Sequence, residues 1–372
     1  MADLGFGCMR LPMVNKKEID MELFTDMVDF AMSHGVNYFD TAYRYCGGKS
    51  EPALKTALVD RYPREKYILS TKLTNEFMKS EKEQEKCFSE QLKRLGQEDG
   101  YIDYYFLHNQ GKVNYAVSKE LHSFEFALKQ KQAGYVKHIG ISFHDTADVL
   151  DTILSEHPEI EVVLLQINYL DWENESIQSR ECYETAVKYG KTVFVMEPLK
   201  GGTLLNVGEE VRNRLNESRP DYSLAKWAFG FVSGLPKVKY VLSGMNSMDV
   251  MHENIEIFGA LKEMPLSKED RAVLKECTAL LQKSIMLPCT SCGYCMEECP
   301  KDIPIPKYLN LLQDKHNTNQ VVYYYELSQG HGRAKDCIKC GLCEKHCPQH
   351  IDIRKELERV SKSFDFFKGW RN

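Results

Sequence analysis

HIGISFHDTADVLDTILSEHPEIEVVLLQIN, residues 138–168, holds the unit on which the fold turns. HIGIS at 138–142 and VVLLQIN at 162–168 are short apolar runs, separated by a polar turn and a segment with apolar residues at helical spacing. Neither run alternates apolar with polar residues, as a strand with one wet face would. Continuous apolar character suits a parallel strand buried on both faces, and the intervening segment leaves room for one crossover helix. The unit recurs on both sides. GFGCM at 5–9, YFDTA at 38–42, YILSTK at 67–72 and YYFLH at 104–108 precede it, and TVFVMEP at 192–198 and YVLSGM at 240–245 follow. Parallel strands alternating with helices in this number predict a (β/α)8 barrel.

The helices have readable ends. Ser80 with Glu83 three residues on predicts a capped start, Phe88, Leu92 and Leu95 share one face, and Gly96 is a stop signal. Beyond the last strand, Ser267 opens a helix in which Val273, Leu274, Cys277, Leu280 and Leu281 recur at helical spacing, ending near Met286 and Pro288. The barrel with this linker helix is therefore placed at 1–284 and a second domain at 285–372. Apolar residues at 43% and charged residues at 27% describe a folded globular chain rather than a disordered one. Lys plus Arg number 48 against 54 Asp plus Glu, a net charge of -6, which offers no general attraction to nucleic acid or an anionic membrane. No apolar run is long enough to span a bilayer, and MADLGFGCMRLPM lacks the basic-then-apolar pattern of a secretory leader, so a cytoplasmic protein is expected.

Eight of the 13 cysteines fall between Cys289 and Cys347. The other five, Cys8, Cys46, Cys87, Cys182 and Cys277, are isolated and read as small buried apolar residues. Cys289, Cys292, Cys295 and Cys299 form CTSCGYCMEECP, and Cys337, Cys340, Cys343 and Cys347 repeat the spacing as CIKCGLCEKHCP. Three thiolates at three-residue intervals can curl around one face of a cuboidal iron–sulfur core, while the fourth, followed by proline, turns away to the other cluster. One 4Fe-4S centre then takes Cys289, Cys292, Cys295 and Cys347, and a second takes Cys337, Cys340, Cys343 and Cys299. Zinc sites more often pair two C-x2-C knuckles. This part of the chain resembles the bacterial two-cluster ferredoxins, which implies one-electron transfer. The stretch between the two runs, KYLNLLQDKHNTNQVVYYYEL, reads as partly helical and points to a largely helical ferredoxin-like module.

Asp40, Lys72 and His108 lie at the C-terminal ends of three predicted strands, the rim where barrel enzymes carry out catalysis. Tyr45 follows Asp40 closely enough to fold back over the mouth. A phenol titrates near pH 10 unaided, and an adjacent ammonium stabilises the tyrosinate. Lys72 supplies that charge in this reading, Asp40 holds Lys72, and His108 hydrogen-bonds the substrate oxygen or the phenol.

In order, GVNYFDTAYRY, ILSTKL, DYYFLHN, IGISFH, QINY, EPLKGG and LSGMNSMDVMHEN resemble the aldo/keto reductases over about residues 1–258. The resemblance implies a tetrad of Asp40, Tyr45, Lys72 and His108 with Tyr45 as general acid, and a nicotinamide cofactor, NADPH or NADH, across the rim. It also implies that Ser142 and Gln166 bind the nicotinamide amide and that Gly244, Met245, Asn246 and Ser247 wrap the adenosine phosphate. Glu253 and Asn254 would then meet the adenine. Met196 stands where many members carry an aromatic residue that stacks on the nicotinamide, and Val250 where many carry an arginine for the 2'-phosphate. Barrel and cysteine module together resemble the iron–sulfur aldo/keto reductases of anaerobic microbes, with a small carbonyl compound as substrate and a ferredoxin or similar carrier as partner. The competing expectation is an electron carrier or redox sensor in which the barrel is a non-catalytic scaffold.

Overall fold

The structure is a computed structural model, and it describes residues 1–15, 17–284, 287, 289, 293–297, 299–312, 319–345, 347 and 349–367, with backbone alone at 283, 284, 294 and 297. Eight parallel strands close a barrel: β1 (Asp3–Gly7), β2 (Tyr38–Asp40), β3 (Ile68–Leu73), β4 (Ile102–Gln110), β5 (Val136–Phe143), β6 (Val162–Gln166), β7 (Thr192–Met196) and β8 (Val238–Ser243). Each strand pairs with its sequence neighbours, and β1 pairs with both β2 and β8 to complete the ring. The registers Asp40↔Ser70 and Lys72↔Phe106 bring the ends of β2, β3 and β4 to one rim. A short hairpin, Met13–Asn15 with Glu18–Ile19, lies outside the barrel sheet.

The continuous apolar runs are explained by two cores. Inward-facing Tyr38, Tyr104, Phe106, Val162, Leu164, Phe194, Tyr240 and Leu242 fill the barrel. The alternate residues pack outward against the helices. Tyr38 stacks on Tyr240 with centroids 4.3 Å apart. Gly140 breaks the bulky pattern of β5 for a packing reason: a Cβ there would lie 2.6 Å from the Phe106 ring.

Helix Glu81–Arg94 starts after Ser80 as expected, but the Ser80 side chain makes no capping bond; Glu83 instead accepts from the backbone N–H of Lys79 at 2.8 Å. At Lys268–Ser284 the reciprocal box forms, since Ser267 Oγ accepts from the Asp270 N–H and Asp270 accepts from the Ser267 N–H. The expected end of this helix at Met286 and Pro288 lies outside the described residues.

A separate core holds the C-terminal segment together. Helices Ile305–Leu312, Asn319–Leu327 and Ile353–Phe364 bury Tyr308, Leu309, Tyr324, Leu357 and Val360, and Ile177 from a barrel loop joins them. The described part of the segment is helical, with no strand among the described residues. No helix of the described residues is long and apolar enough to cross a membrane.

Where segment and barrel meet, Glu326 is 4% exposed; its Oε2 accepts from the Val113 N–H at 3.0 Å and its Oε1 has no hydrogen-bond partner. Burial, with Asp145 adding to it, pushes this carboxyl up to about 8. The folded protein therefore binds a proton that the unfolded chain releases near pH 4.3, so stability falls as pH rises from there to about 8. Glu326→Gln keeps a carbonyl for Val113 and removes the charge. We expect its melting temperature to match the parent near pH 5 and to exceed it by about 3 °C or more at pH 8.5, checked by anaerobic thermal denaturation at both values. Equal melting temperatures at pH 8.5 would refute this.

Candidate active site and cluster ligands

Each rim residue reaches the site by the strand that ends beside it. Lys72, near the end of β3, is 1% exposed, and its Nζ donates to Asp40 Oδ2 at 2.6 Å and to the Thr41 carbonyl at 2.8 Å. The other Asp40 oxygen accepts from Ser70 Oγ at 2.7 Å, so the carboxylate is held at both ends. Tyr45 opens a short 3-10 turn, Tyr45–Gly48, just beyond β2. The Lys72 Nζ lies 4.8 Å from the Tyr45 ring centroid, and the His108 ring meets Tyr45 edge-on at 6.2 Å. The structure thus brings Asp40, Tyr45, Lys72 and His108 to one place.

The electrostatics refine the expectation for Tyr45. Burial pushes its phenol above the usual value, and Lys72 opposes that without cancelling it. For Lys72, burial pulls the ammonium down, but Asp40 and Tyr45 outweigh it and the net direction is up. The site at rest therefore holds a protonated phenol beside a charged lysine.

Sequence reading missed Glu76. It sits on the turn Asn75–Phe77 after β3, fully buried, and its Oε1 is 2.9 Å from His108 Nδ1 and accepts from Asn109 Nδ2 at 3.2 Å. The Glu76 carboxylate accepts a hydrogen bond from Nδ1–H, which leaves Nε2 as the ring nitrogen for substrate or Tyr45. Glu76→Gln should lower kcat/KM about tenfold or more, the worth of a charged hydrogen bond, with NADPH affinity unchanged by fluorescence titration. Wild-type kcat/KM in that variant would remove Glu76 from the site. An acidic residue shortly after a rim lysine was the only signal available in the chain.

A cavity of about 620 Å³ opens over these groups. Ser142, Met196, Gly244 and Asn246 line it, as do Met9, Arg10, Val250 and the glycines Gly201 and Gly202. Ser142 Oγ accepts from the Asn109 N–H at 2.8 Å. Gln166 is placed otherwise: its Nε2 donates to Asp171 and its Oε1 accepts from Asn319, so both ends of the amide are engaged. Met245 is turned fully into the core, Asn254 donates to Ser243 Oγ at 2.9 Å, and Glu253 is exposed away from the cavity lining. Ser247 caps helix Met248–Glu263 by accepting from the Val250 N–H.

The residues that do line the cavity fit a nicotinamide cofactor. Arg10, Gly244 and the N-terminal end of a 16-residue helix make one end of the cavity suited to phosphate. Two buried polar atoms in the lining, Glu76 Oε2 and His144 Nδ1, have no hydrogen-bond partner. Burial lowers the His144 imidazole to about 3, so it is neutral.

The cysteine residues also sort by position. Cys299, Cys337, Cys340 and Cys343 line one small cavity, three from the second run and the last from the first. Gly293 and Gly341 have φ of 82° and 76°, a left-handed turn inside each run that glycine adopts without strain. Cys289, Cys295 and Cys347 pack on the segment's core, and Cys292 lies outside the described residues. Among the described residues, no three His, Cys, Asp or Glu side chains gather tightly enough for a single metal ion. A cuboidal cluster is held by four thiolates, and the four cysteines around this cavity supply that donor set. Of the isolated cysteines, Cys8, Cys87, Cys182 and Cys277 are buried and Cys46 is half-buried.

A closed parallel barrel with a buried lysine–carboxylate pair and a phenol at its C-terminal rim defines a barrel oxidoreductase. The aldo/keto reductase family model matches residues 3–279, and the chain belongs to that family. A 4Fe-4S dicluster domain matches residues 288–351. The chain is 25% identical over 305 residues to an uncharacterized oxidoreductase, YqkF, of Bacillus subtilis, covering 74% of this chain and 92% of that protein. It is 33% identical over 177 residues to a probable aldo-keto reductase 1 of Glycine max, covering 45% and 48% respectively. Among solved structures, the holo form of the aldo-keto reductase AKR11C1 from Bacillus halodurans superposes with a TM-score of 0.60 at 26% identity, covering 74% of this chain and 91% of that one. The fold is also shared by an aldo/keto reductase from Klebsiella pneumoniae in complex with NADP and acetate, with a TM-score of 0.58 at 17% identity, covering 73% and 90%. The protein is therefore an oxidoreductase enzyme.

Proposed function

We propose that the barrel reduces a carbonyl compound, an aldehyde, a ketone or a conjugated carbonyl, using NADPH or NADH, and that the C-terminal module carries two 4Fe-4S clusters. The observation that supports this reading is the buried Lys72 ammonium, held by Asp40 on one side and set against the Tyr45 ring on the other, beneath the cavity. When bound, the nicotinamide supplies a hydride and the clusters supply one-electron transfer, so two one-electron centres match the two electrons of a hydride. The Tyr45 hydroxyl donates its proton to the substrate oxygen, and Lys72 holds the phenolate that remains. Asp40 keeps Lys72 charged and aimed. His108, fixed through Nδ1 by Glu76, orients the substrate oxygen.

Ser142, Met196, Gly244 and Asn246 would hold the cofactor, with the capped helix behind Ser247 at its phosphates. Cys340 is exposed beside Ile338, itself 57% exposed, and Lys339. That face suits exchange with a ferredoxin or another one-electron carrier. The test is anaerobic reconstitution with iron and sulfide, followed by NADPH and NADH oxidation across aldehydes, ketones and quinones. Carbonyl-dependent oxidation is expected; its absence with every compound would overturn the reading.

A further inference from the structure

The chain between the two cysteine runs does more than join them. Helix Asn319–Leu327 lies on the barrel, and Asn319, Val321 and Val322 line the same cavity as Tyr45 and His108. Three contacts to three barrel elements fix the helix there. Asn319 Nδ2 donates to Gln166 Oε1 at 3.3 Å, Glu326 accepts from the Val113 N–H at 3.0 Å, and the Tyr323 ring meets His144 at 5.8 Å. Val321 is half-buried and Val322 is 6% exposed.

We propose that Val321 and Val322 are specificity-determining residues: a substrate-selecting wall, supplied to the reductase site by the iron–sulfur module, for carbonyl compounds with an apolar alkyl or aryl body. The inference rests on the carbonyl-reductase reading of the cavity. Valine side chains offer no hydrogen bond to a phosphate or a ribose, so these two suit an apolar body packed against them. Both are β-branched and on a helix, where one side-chain rotamer dominates, so the wall has a fixed shape. A hydrophobic wall of fixed shape discriminates about 10- to 200-fold per methylene.

The test uses the full chain with reconstituted clusters and three proteins: the parent, Val322→Ala and Val322→Trp. Turnover is measured with butanal and 2-naphthaldehyde, and binding of 2-naphthaldehyde to the NADP-loaded protein is measured by fluorescence. Val322→Trp should lower kcat/KM for 2-naphthaldehyde about tenfold or more relative to that for butanal, and should weaken 2-naphthaldehyde binding to match. Val322→Ala should shift the preference toward 2-naphthaldehyde. NADPH affinity and the visible absorption of the clusters should be unchanged in both. An unchanged preference and equal binding in all three proteins overturn the wall and leave the reductase reading standing. Loss of 2-naphthaldehyde binding in Val322→Trp alone, with no turnover by any of the three, overturns the reductase reading and leaves the wall standing.

Discussion

Tyr45→Phe should lower kcat for carbonyl reduction by about 10²- to 10⁴-fold, the range for a positioned general acid, while NADPH affinity stays within about twofold. The substitution removes one oxygen and little else. Lys72 keeps both of its stronger partners, Asp40 and the Thr41 carbonyl, so no buried charge is left without a counterion. Loss of stability should be about 1 kcal/mol or less, as for a single hydrogen bond. Lys72→Met would be a poorer test. It leaves the Asp40 carboxylate buried without its cation, and breaking a buried pair in that way costs about 3–5 kcal/mol, so lost turnover would be confounded with lost fold. The direction of the Tyr45 shift matters here too. Because burial raises the phenol, the ground state holds the proton that the proposed mechanism delivers to the substrate oxygen, and Lys72 would act on the phenolate afterwards. Turnover by Tyr45→Phe at the parent rate would end the proton-donor role.

The rim residues were legible because barrel strands write their own ends. Asp40, Lys72 and His108 are the polar residues that close apolar runs, and closure of the barrel then gathers whatever stands there. Loop residues follow no such rule. Met245 and Asn246 are neighbours, yet one is turned into the core and the other lines the cavity, a difference that only the path of the loop decides. Gln166 likewise looked free at the end of β6, but Asp171, five residues on, and Asn319, from the far end of the chain, take its amide. The cysteine module shows the same limit on a larger scale. Its periodicity announced helices, but the docking of Asn319–Leu327 on the barrel depends on partners such as Val113 and Gln166 that no local pattern reveals. Phe367, close to the end of the chain, also lines the cavity, and no local pattern marks it for that position.

Cys299→Ala should remove the cluster of the other cysteine run. If each run ligated its own cluster, Cys299→Ala and Cys295→Ala would share one phenotype, and Cys340→Ala would show the other. Cys299 instead lines a cavity with Cys337, Cys340 and Cys343, which groups it with Cys340. The expected outcome is that Cys299→Ala and Cys340→Ala each retain about four of about eight irons and lose the same electron paramagnetic resonance signal on reduction. Their double variant should still retain about four, because both changes strike one site. Cys299→Ala combined with Cys295→Ala should instead lose nearly all iron, because that pair strikes both. Additivity thus separates the crossed arrangement from the uncrossed one even where a single substitution leaves a partly filled cluster. A Cys299→Ala protein that loses the signal lost by Cys295→Ala, and keeps the one lost by Cys340→Ala, would overturn the crossed assignment. The result also bears on the barrel. Crossing would tie residues 299 and 337 to a single inorganic core and so anchor both ends of the segment that contains Asn319–Leu327. Loss of that cluster should therefore loosen the helix, with amide hydrogen exchange across 319–327 faster in Cys299→Ala than in the parent, and unchanged in β3 and β4.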